Sequence, residues 1–224
     1  MSETVRLKAS DSHELDAYVS RPSGTPISGL VVLQEAFGVN HHIRSVADGY
    51  AKHGFLAVAP ALFDRVERGV ELGYEGADLQ NGIAMARQCN PQDVMKDVAA
   101  ALEYLRKNQA KHCAVIGYCF GGTMAWLAAT RLNPDVAVGY YGGYIAHFAQ
   151  ENPHCPVMLH FGTLDKHIPK EEVERVHAAH PEVEIFWYVA DHGFNCSERS
   201  SYNAAAAKLA RDRSLEFLKR YAGD

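Results

Sequence analysis

Short apolar segments alternate with longer amphipathic segments along most of this chain, and this alternation restricts the possible folds more than any other feature. The run at 29–34, GLVVLQ, is almost wholly apolar, as expected for a strand buried on both faces. Other strand-like runs occur at 55–59, 113–118, 136–140, 157–161 and 184–189. Helical patterns separate them at 40–54, from 94 onward, and at 120–132, 171–179 and 204–221. Repeated strand–helix units predict an α/β fold whose mostly parallel sheet carries helices on both faces.

The first and middle parts of the chain depart from this alternation. Runs at 5–9 and 15–20, joined by a turn at Asp11-Ser12, predict an antiparallel hairpin before the parallel strands. Residues 61–91 are rich in glycine, and we expect a loop with short helices there. Because no linker or repeat is evident, residues 1–224 are predicted to form a single domain.

The composition narrows the range of partners. Apolar residues make up 47% of the chain and charged residues 22%, and a net charge of −5 argues against a general nucleic-acid or membrane-surface binder. The polar start of the chain and the absence of a long apolar run predict a cytoplasmic protein. The five irregularly spaced cysteines favour free thiols over a disulfide framework. We expect a monomer or a small homo-oligomer.

A strand-to-helix turn at 117–122, GYCFGG, has the G-x-S-x-G spacing of a nucleophile elbow, with Cys119 in place of serine. Such a turn lifts its central side chain above the sheet, and the flanking glycines keep Cβ atoms out of the way. The amino end of the following helix favours a thiolate. The alternative is a structural cysteine at an ordinary turn, but the strand before it and the small-residue helix after it favour the nucleophile.

An elbow of this kind needs an acid and a base that follow the nucleophile in that order. Asp165 follows the strand at 157–161, and His192 follows the strand at 184–189. Both therefore lie at the carboxyl ends of strands, where the chemistry of α/β sheets is found. His160, expected to point sideways from its strand, and His167, expected in solvent, are the rival histidines.

Asp191 is the rival acid, but a residue adjacent to His192 projects the wrong way to orient its ring. The predicted catalytic triad is therefore Cys119, Asp165 and His192. His192 would take the thiol proton and later return a proton to the leaving alkoxide, and Asp165 would fix the imidazole tautomer.

Five segments together resemble the dienelactone hydrolase (carboxymethylenebutenolidase) family over nearly the whole chain. They are 34–40 (QEAFGVN), 117–122 (GYCFGG), 138–142 (VGYYG), the loop at Asp165, and 192–194 (HGF). The resemblance implies an α/β-hydrolase that cleaves a small ester or lactone. It also implies that Glu35 contacts the resting cysteine and helps to form the thiolate. The backbone N–H groups of Ala36 and Phe120 would form the oxyanion hole.

In the dienelactone hydrolase family, two arginines hold the carboxylate of the namesake substrate. This sequence departs from the family at both positions. Cys196 stands at the position of one of them, four residues after the histidine, and Gly193 replaces a serine. A packed cysteine is favoured there over a second reactive thiol. The family's other arginine lies in the region that matches 61–91, where no arginine of this chain comes into register, although Arg65, Arg68 or Arg87 could compensate. Among substrate contacts the sequence nominates Phe37, Tyr141 and Arg199.

The remaining signals give no support for a cofactor. No nucleotide-binding glycine motif is present, and the adjacent pair His41-His42 lacks the spacing of metal ligands. We therefore predict no metal and no cofactor, with a small-molecule ester or lactone as the substrate. Two alternatives stay open: a thioesterase or peptidase that uses the same triad, and a non-catalytic redox or ligand sensor with an exposed reactive cysteine.

Overall fold

Eight strands and six α-helices form within residues 1–223, the part of the chain that the computed structural model describes. The strands are β1 (Ser2–Lys8), β2 (Glu14–Ser20), β3 (Ser28–Leu33), β4 (Phe55–Pro60), β5 (Cys113–Tyr118), β6 (Val136–Tyr140), β7 (Val157–Gly162) and β8 (Glu184–Tyr188). The helices are α1 (His41–Ala51), α2 (Gly76–Gln88), α3 (Pro91–Lys107), α4 (Phe120–Arg131), α5 (Lys170–Ala179) and α6 (Ala204–Ala222). Two short 3-10 helices span Leu62–Arg65 and Ile145–Phe148.

All eight strands join one sheet in the order β1-β2-β4-β3-β5-β6-β7-β8. The pairs β1–β2 and β2–β4 are antiparallel, and every pair from β4 to β8 is parallel. Every residue of β3, β4, β5, β6 and β7 is buried, as the continuous apolar runs predicted, whereas the edge strand β8 is partly exposed. The predicted α/β class with an antiparallel amino-terminal hairpin is confirmed.

The first helix begins with a side-chain cap. The Asn40 side chain accepts a hydrogen bond from the backbone N–H of Ile43 at 3.3 Å, which satisfies one free donor at the start of α1. The helix ends at Ala51, and Gly54 turns the chain with a φ of 96° before β4.

The region 61–91 is more regular than its glycines suggested. It contains α2, a helix of 13 residues, and α3 begins at Pro91 rather than near Val94. Pro91 suits the first helical position because its missing N–H has no partner there, and Asn90 caps the helix by accepting from Gln92 N–H at 2.9 Å. Gly82 lies inside α2 because a Cβ there would come 2.0 Å from the carbonyl oxygen of Ala36. This glycine therefore permits a close approach to the loop after β3 and does not end the helix.

Helices cover both faces of the sheet. Helices α3 and α4 pack against each other and against the central strands, while α1 and α6 line a shared cavity of about 310 Å³ together with residues of 195–202. None of the helices within residues 1–223 is both long enough and apolar enough to cross a membrane.

Candidate active site

The turn between β5 and α4 holds Cys119 in an unusual backbone conformation. Its φ is 53° and its ψ is −113°, a combination that a side chain other than glycine seldom adopts. The backbone N–H of Cys119 donates to the carbonyl oxygen of Tyr140 at 3.0 Å, which ties the turn to the end of β6. The side chain is thereby raised above the carboxyl edge of the sheet, and it is partly exposed.

The glycines around Cys119 are required by close packing of backbone on backbone. A Cβ at Gly117 would lie 1.9 Å from the carbonyl oxygen of Gly121, and a Cβ at Gly121 would lie 2.4 Å from that of Leu33. The backbone N–H of Gly121 also donates to the Gln34 carbonyl oxygen at 2.9 Å. The elbow is therefore fixed against the end of β3, which brings the loop that carries Glu35 and Ala36 next to the cysteine.

Three loops bring the predicted triad together. The Nε2 atom of His192 lies 3.1 Å from the Sγ atom of Cys119, and its Nδ1 atom lies 2.7 Å from Oδ2 of Asp165. The other oxygen of Asp165 accepts the backbone N–H of His167 at 2.8 Å. The three residues follow β5, β7 and β8, whose parallel carboxyl ends meet at one edge of the sheet.

The electrostatics of this chain favour a charged pair. Burial acts against a charged His192, but Cys119 and Asp165 outweigh burial and raise the pKa of His192 to about 10. Burial likewise opposes the charge of Asp165, yet the hydrogen bonds from His192 and His167 hold its pKa below the usual value. The arrangement thus stabilises the imidazolium form of His192 beside the Asp165 carboxylate.

The alternative histidines and the alternative aspartate make other contacts. His160 is completely buried and is hydrogen-bonded to the hydroxyls of Tyr188 and Ser214 at 2.8 Å and 2.9 Å. His167 is exposed, although its ring centre lies 5.7 Å from that of His192. Asp191 accepts the backbone N–H of His192 at 2.7 Å and makes no bond to the ring. Asp165 is therefore the carboxylate that orients the imidazole.

Glu35 is buried beside the elbow, with 1% of its surface exposed. Its Oε1 atom lies 3.5 Å from a guanidinium nitrogen of Arg199, and its Oε2 atom has no hydrogen-bond partner among the described residues. Within residues 1–223 no hydrogen bond joins Glu35 to Cys119, whose sulfur is paired with His192. A buried carboxylate needs such a counter-charge, and removing one partner of a buried ion pair typically costs about 3–5 kcal/mol.

Arg199 is the arginine that reaches this site. Its guanidinium carbon lies 5.6 Å from the ring centre of Phe37 and 5.9 Å from that of Tyr74, and 16% of its side chain is exposed. Three other arginines were candidates to replace the two that hold the substrate carboxylate in the family, but they lie away from the triad. Arg65 is paired with Asp11 and Asp97, Arg68 with Asp64, and Arg87 is exposed on α2.

The aromatic wall of the site contains one predicted and one unexpected residue. The ring of Tyr141 lies 5.1 Å from that of His192, and its buried hydroxyl has no partner among the described residues. Tyr74 was not anticipated because it lies in the irregular region 61–91. Its ring packs edge-on against Phe37 at 4.7 Å, and its hydroxyl accepts a hydrogen bond from Asn40 at 2.9 Å.

Two further buried residues adjoin Glu35. His42 and Cys196 each offer a ligand atom, and these two atoms and a Glu35 carboxylate oxygen all lie within 4.8 Å of one another. Burial lowers the pKa of His42 although Glu35 opposes the shift, and burial raises the pKa of Cys196 to about 11. Cys196 is fully buried, in agreement with the packed cysteine that the sequence favoured.

The two backbone N–H groups expected to form the oxyanion hole have no acceptor among the described residues. Within residues 1–223, neither the backbone N–H of Ala36 nor that of Phe120 donates to a protein acceptor. Phe120 is the first residue of α4, where backbone N–H groups have no partner within the helix. Unpaired N–H groups on either side of a nucleophile are the donors that a developing oxyanion requires.

The fold, the elbow and the Cys–His–Asp arrangement define an α/β-hydrolase. The model of the dienelactone hydrolase family matches residues 15–222, so the chain belongs to that family. It is therefore an enzyme of the ester- and lactone-hydrolysing class.

Relatives and solved structures agree with this assignment. A carboxymethylenebutenolidase from Pseudomonas putida is 30% identical over 227 residues, which cover 97% of this chain and 96% of the relative. A Klebsiella pneumoniae protein with a provisional dienelactone hydrolase assignment is 27% identical and superposes with a TM-score of 0.87, covering 99% of this chain and 100% of that one. A dienelactone hydrolase-like promiscuous phosphotriesterase from metagenomic libraries is 21% identical, has a TM-score of 0.78 and covers 99% of both chains, and it shows the shared fold alone.

Proposed function

We propose that this enzyme hydrolyses a small ester or enol-lactone through an acyl-cysteine intermediate on Cys119. The observation that carries the proposal is the continuous contact from Cys119 Sγ to His192 Nε2 at 3.1 Å and from His192 Nδ1 to Asp165 Oδ2 at 2.7 Å. A nucleophile, a base and an orienting group in hydrogen-bond reach are what covalent acyl transfer needs.

In the first half of the reaction the Cys119 thiolate attacks the substrate carbonyl carbon, and the carbonyl π electrons move to its oxygen. The N–H groups of Ala36 and Phe120 stabilise that oxyanion. When the tetrahedral intermediate collapses, the C–O bond to the leaving group breaks, and His192 gives its Nε2 proton to the leaving alkoxide. The product is an acyl-cysteine and a neutral His192.

In the second half, His192 takes a proton from water as the hydroxide attacks the thioester carbonyl. Collapse of the second tetrahedral intermediate releases the acid and restores the thiolate. Asp165 stabilises the imidazolium in both halves, since it lies against Nδ1 throughout. The cycle needs no cofactor, because proton transfer and acyl transfer are both performed by side chains of this chain.

Arg199 supports a substrate that carries a carboxylate. Its guanidinium lies 3.5 Å from Glu35 and borders the aromatic side chains of Phe37 and Tyr74. A substrate carboxylate that pairs with Arg199 would compete with Glu35 for the same cation. Glu35 would then be released from Arg199, and the resemblance implies that it acts at Cys119 when substrate binds.

The test is a trapping experiment. Purified protein is mixed with neutral esters, enol esters and lactones, with and without a free carboxylate, and intact mass spectrometry looks for an acyl adduct. We expect an adduct with the parent protein and with Cys155→Ala, which removes a partly buried cysteine at the opposite end of the sheet. We expect none with Cys119→Ala.

The outcomes separate the competing functions. An adduct favoured by carboxylate-bearing lactones supports Arg199 as the substrate cation, while an adduct with neutral esters alone supports a carboxylesterase. Faster turnover of thioesters than of oxygen esters would replace the proposal with a thioesterase. Turnover that survives Cys119→Ala would overturn the acyl-cysteine mechanism. Membership of a hydrolase family already argues against the non-catalytic sensor.

A further inference from the structure

We propose that Glu35, His42 and Cys196 form a binding site for a borderline-soft divalent cation, with Zn²⁺ as the best match. The residues lie on three separate segments: the loop after β3, the first turn of α1, and the loop after β8. One ligand atom from each lies within 4.8 Å of the other two, and all three residues are buried. This inference goes beyond the proposed hydrolysis and does not rest on it.

Two unpartnered atoms point to a missing ligand. Oε2 of Glu35 and Nε2 of His42 are buried without a hydrogen-bond partner among the described residues, and these residues are only 1% and 5% exposed. Buried polar atoms without partners are rare because each loses its hydration without compensation, typically at a cost of about 1–3 kcal/mol. A cation bound by both atoms would remove both deficits at once.

The chemistry of the three groups fits zinc. An imidazole nitrogen, a thiolate and a carboxylate oxygen are its usual protein ligands, and three of them leave one position of a tetrahedron for water. Bond lengths near 2.0–2.3 Å place tetrahedral ligands about 3.3–3.7 Å apart, so atoms that lie within 4.8 Å of one another need to approach by at most about 1.5 Å. The thiolate disfavours the hard ions Mg²⁺ and Ca²⁺. The thiolate and the Glu35 carboxylate together offset the charge of the cation, although Glu35 also faces Arg199 at 3.5 Å.

His42 also lines the cavity of about 310 Å³ between α1 and α6, to which residues of 195–202 contribute. The sequence argued against a metal at the adjacent pair His41-His42, and the proposed site uses only the second of them. The side chain of His41 is 79% exposed and is paired with Glu198.

The test is zinc binding to the full chain in a Cys119→Ser background, which removes the nucleophile as a competing ligand. We expect about one zinc per chain after dialysis, measured by mass spectrometry of the metal. Adding His42→Gln should weaken binding by more than ~100-fold, since loss of even an outer partner of a ligand costs about 10- to 100-fold. Adding His41→Gln, the matched change at the exposed neighbour, should leave binding unchanged.

A second measurement identifies the sulfur. Co²⁺ in place of zinc should give a thiolate-to-metal charge-transfer band that Cys196→Ala removes and Cys155→Ala keeps. This pair decides the question even if His42→Gln does not fold. Absence of retained zinc, equal binding by the two histidine variants, or a cobalt spectrum without a thiolate band would each overturn the proposal. Hydrolysis by the metal-free parent protein is measured separately, so failure of this site and failure of the proposed reaction are distinguishable.

Discussion

Replacement of Asp165 by asparagine tests the charge arrangement of the triad directly. The carboxylate is 1% exposed on its side chain, the His192 side chain is 13% exposed, and their polar atoms are 2.7 Å apart. Two unit charges about 4 Å apart at an effective dielectric constant near 20 interact by about 4 kcal/mol. Asp165→Asn removes this stabilisation of the imidazolium, and each 1.36 kcal/mol is a factor of ten in rate. We therefore expect kcat to fall about a thousandfold.

The assay is steady-state hydrolysis of a chromogenic ester, with kcat and KM determined separately. KM should change little, because Asp165 lies behind the imidazole and contacts no substrate. Asp191→Asn is the matched control: the same change of atoms in an exposed neighbour that bonds only the backbone of His192. It should retain nearly full activity. An Asp165→Asn enzyme with more than a tenth of the parent kcat, or an equal loss in Asp191→Asn, would refute the reasoning.

Three further predictions follow from the same site. Burial alone would lower the pKa of His192, but the neighbouring Cys119 and Asp165 raise it to about 10. Cys119→Ala should therefore move the titration of the imidazole to lower pH, and an unchanged titration by NMR would contradict the interaction between the two side chains. Arg199→Gln should raise KM for carboxylate-bearing esters about 10- to 100-fold more than for neutral esters, as expected for the loss of about 1.5–3 kcal/mol from one charged hydrogen bond. It should also lower stability by about 3–5 kcal/mol, because it leaves the buried Glu35 without its cation. Gly121→Ala should destabilise folding by about 3 kcal/mol in urea denaturation, because its Cβ would lie 2.4 Å from a backbone oxygen, whereas the unobstructed Gly24→Ala should stay within about 0.5 kcal/mol.

The parallel strands could be predicted from the sequence because burial on both faces produces a simple pattern of residues. A strand buried on both faces must be apolar along its whole length, as β3 and β5 are. The region 61–91 was harder because Gly82 resembles a helix breaker. Its actual purpose, contact between α2 and the Ala36 carbonyl, depends on a neighbour distant in sequence.

The sequence by itself determined the sheet, the elbow at Cys119 and the order of the acid and base partners. Each of these depends on local spacing or on the rule that parallel strands end at one edge of the sheet. Only the tertiary structure decided what surrounds that edge. Arg199 was one of several candidate arginines, and its pairing with Glu35 follows from how the loop after β8 folds back over the end of β3.

The group formed by Glu35, His42 and Cys196 could not be recognised from spacing. Its members lie on a strand end, a helix start and a late loop, and no short motif relates them. Contacts between side chains far apart in the chain are fixed by the packing of whole elements, so they become visible only when the sheet and its helices are assembled.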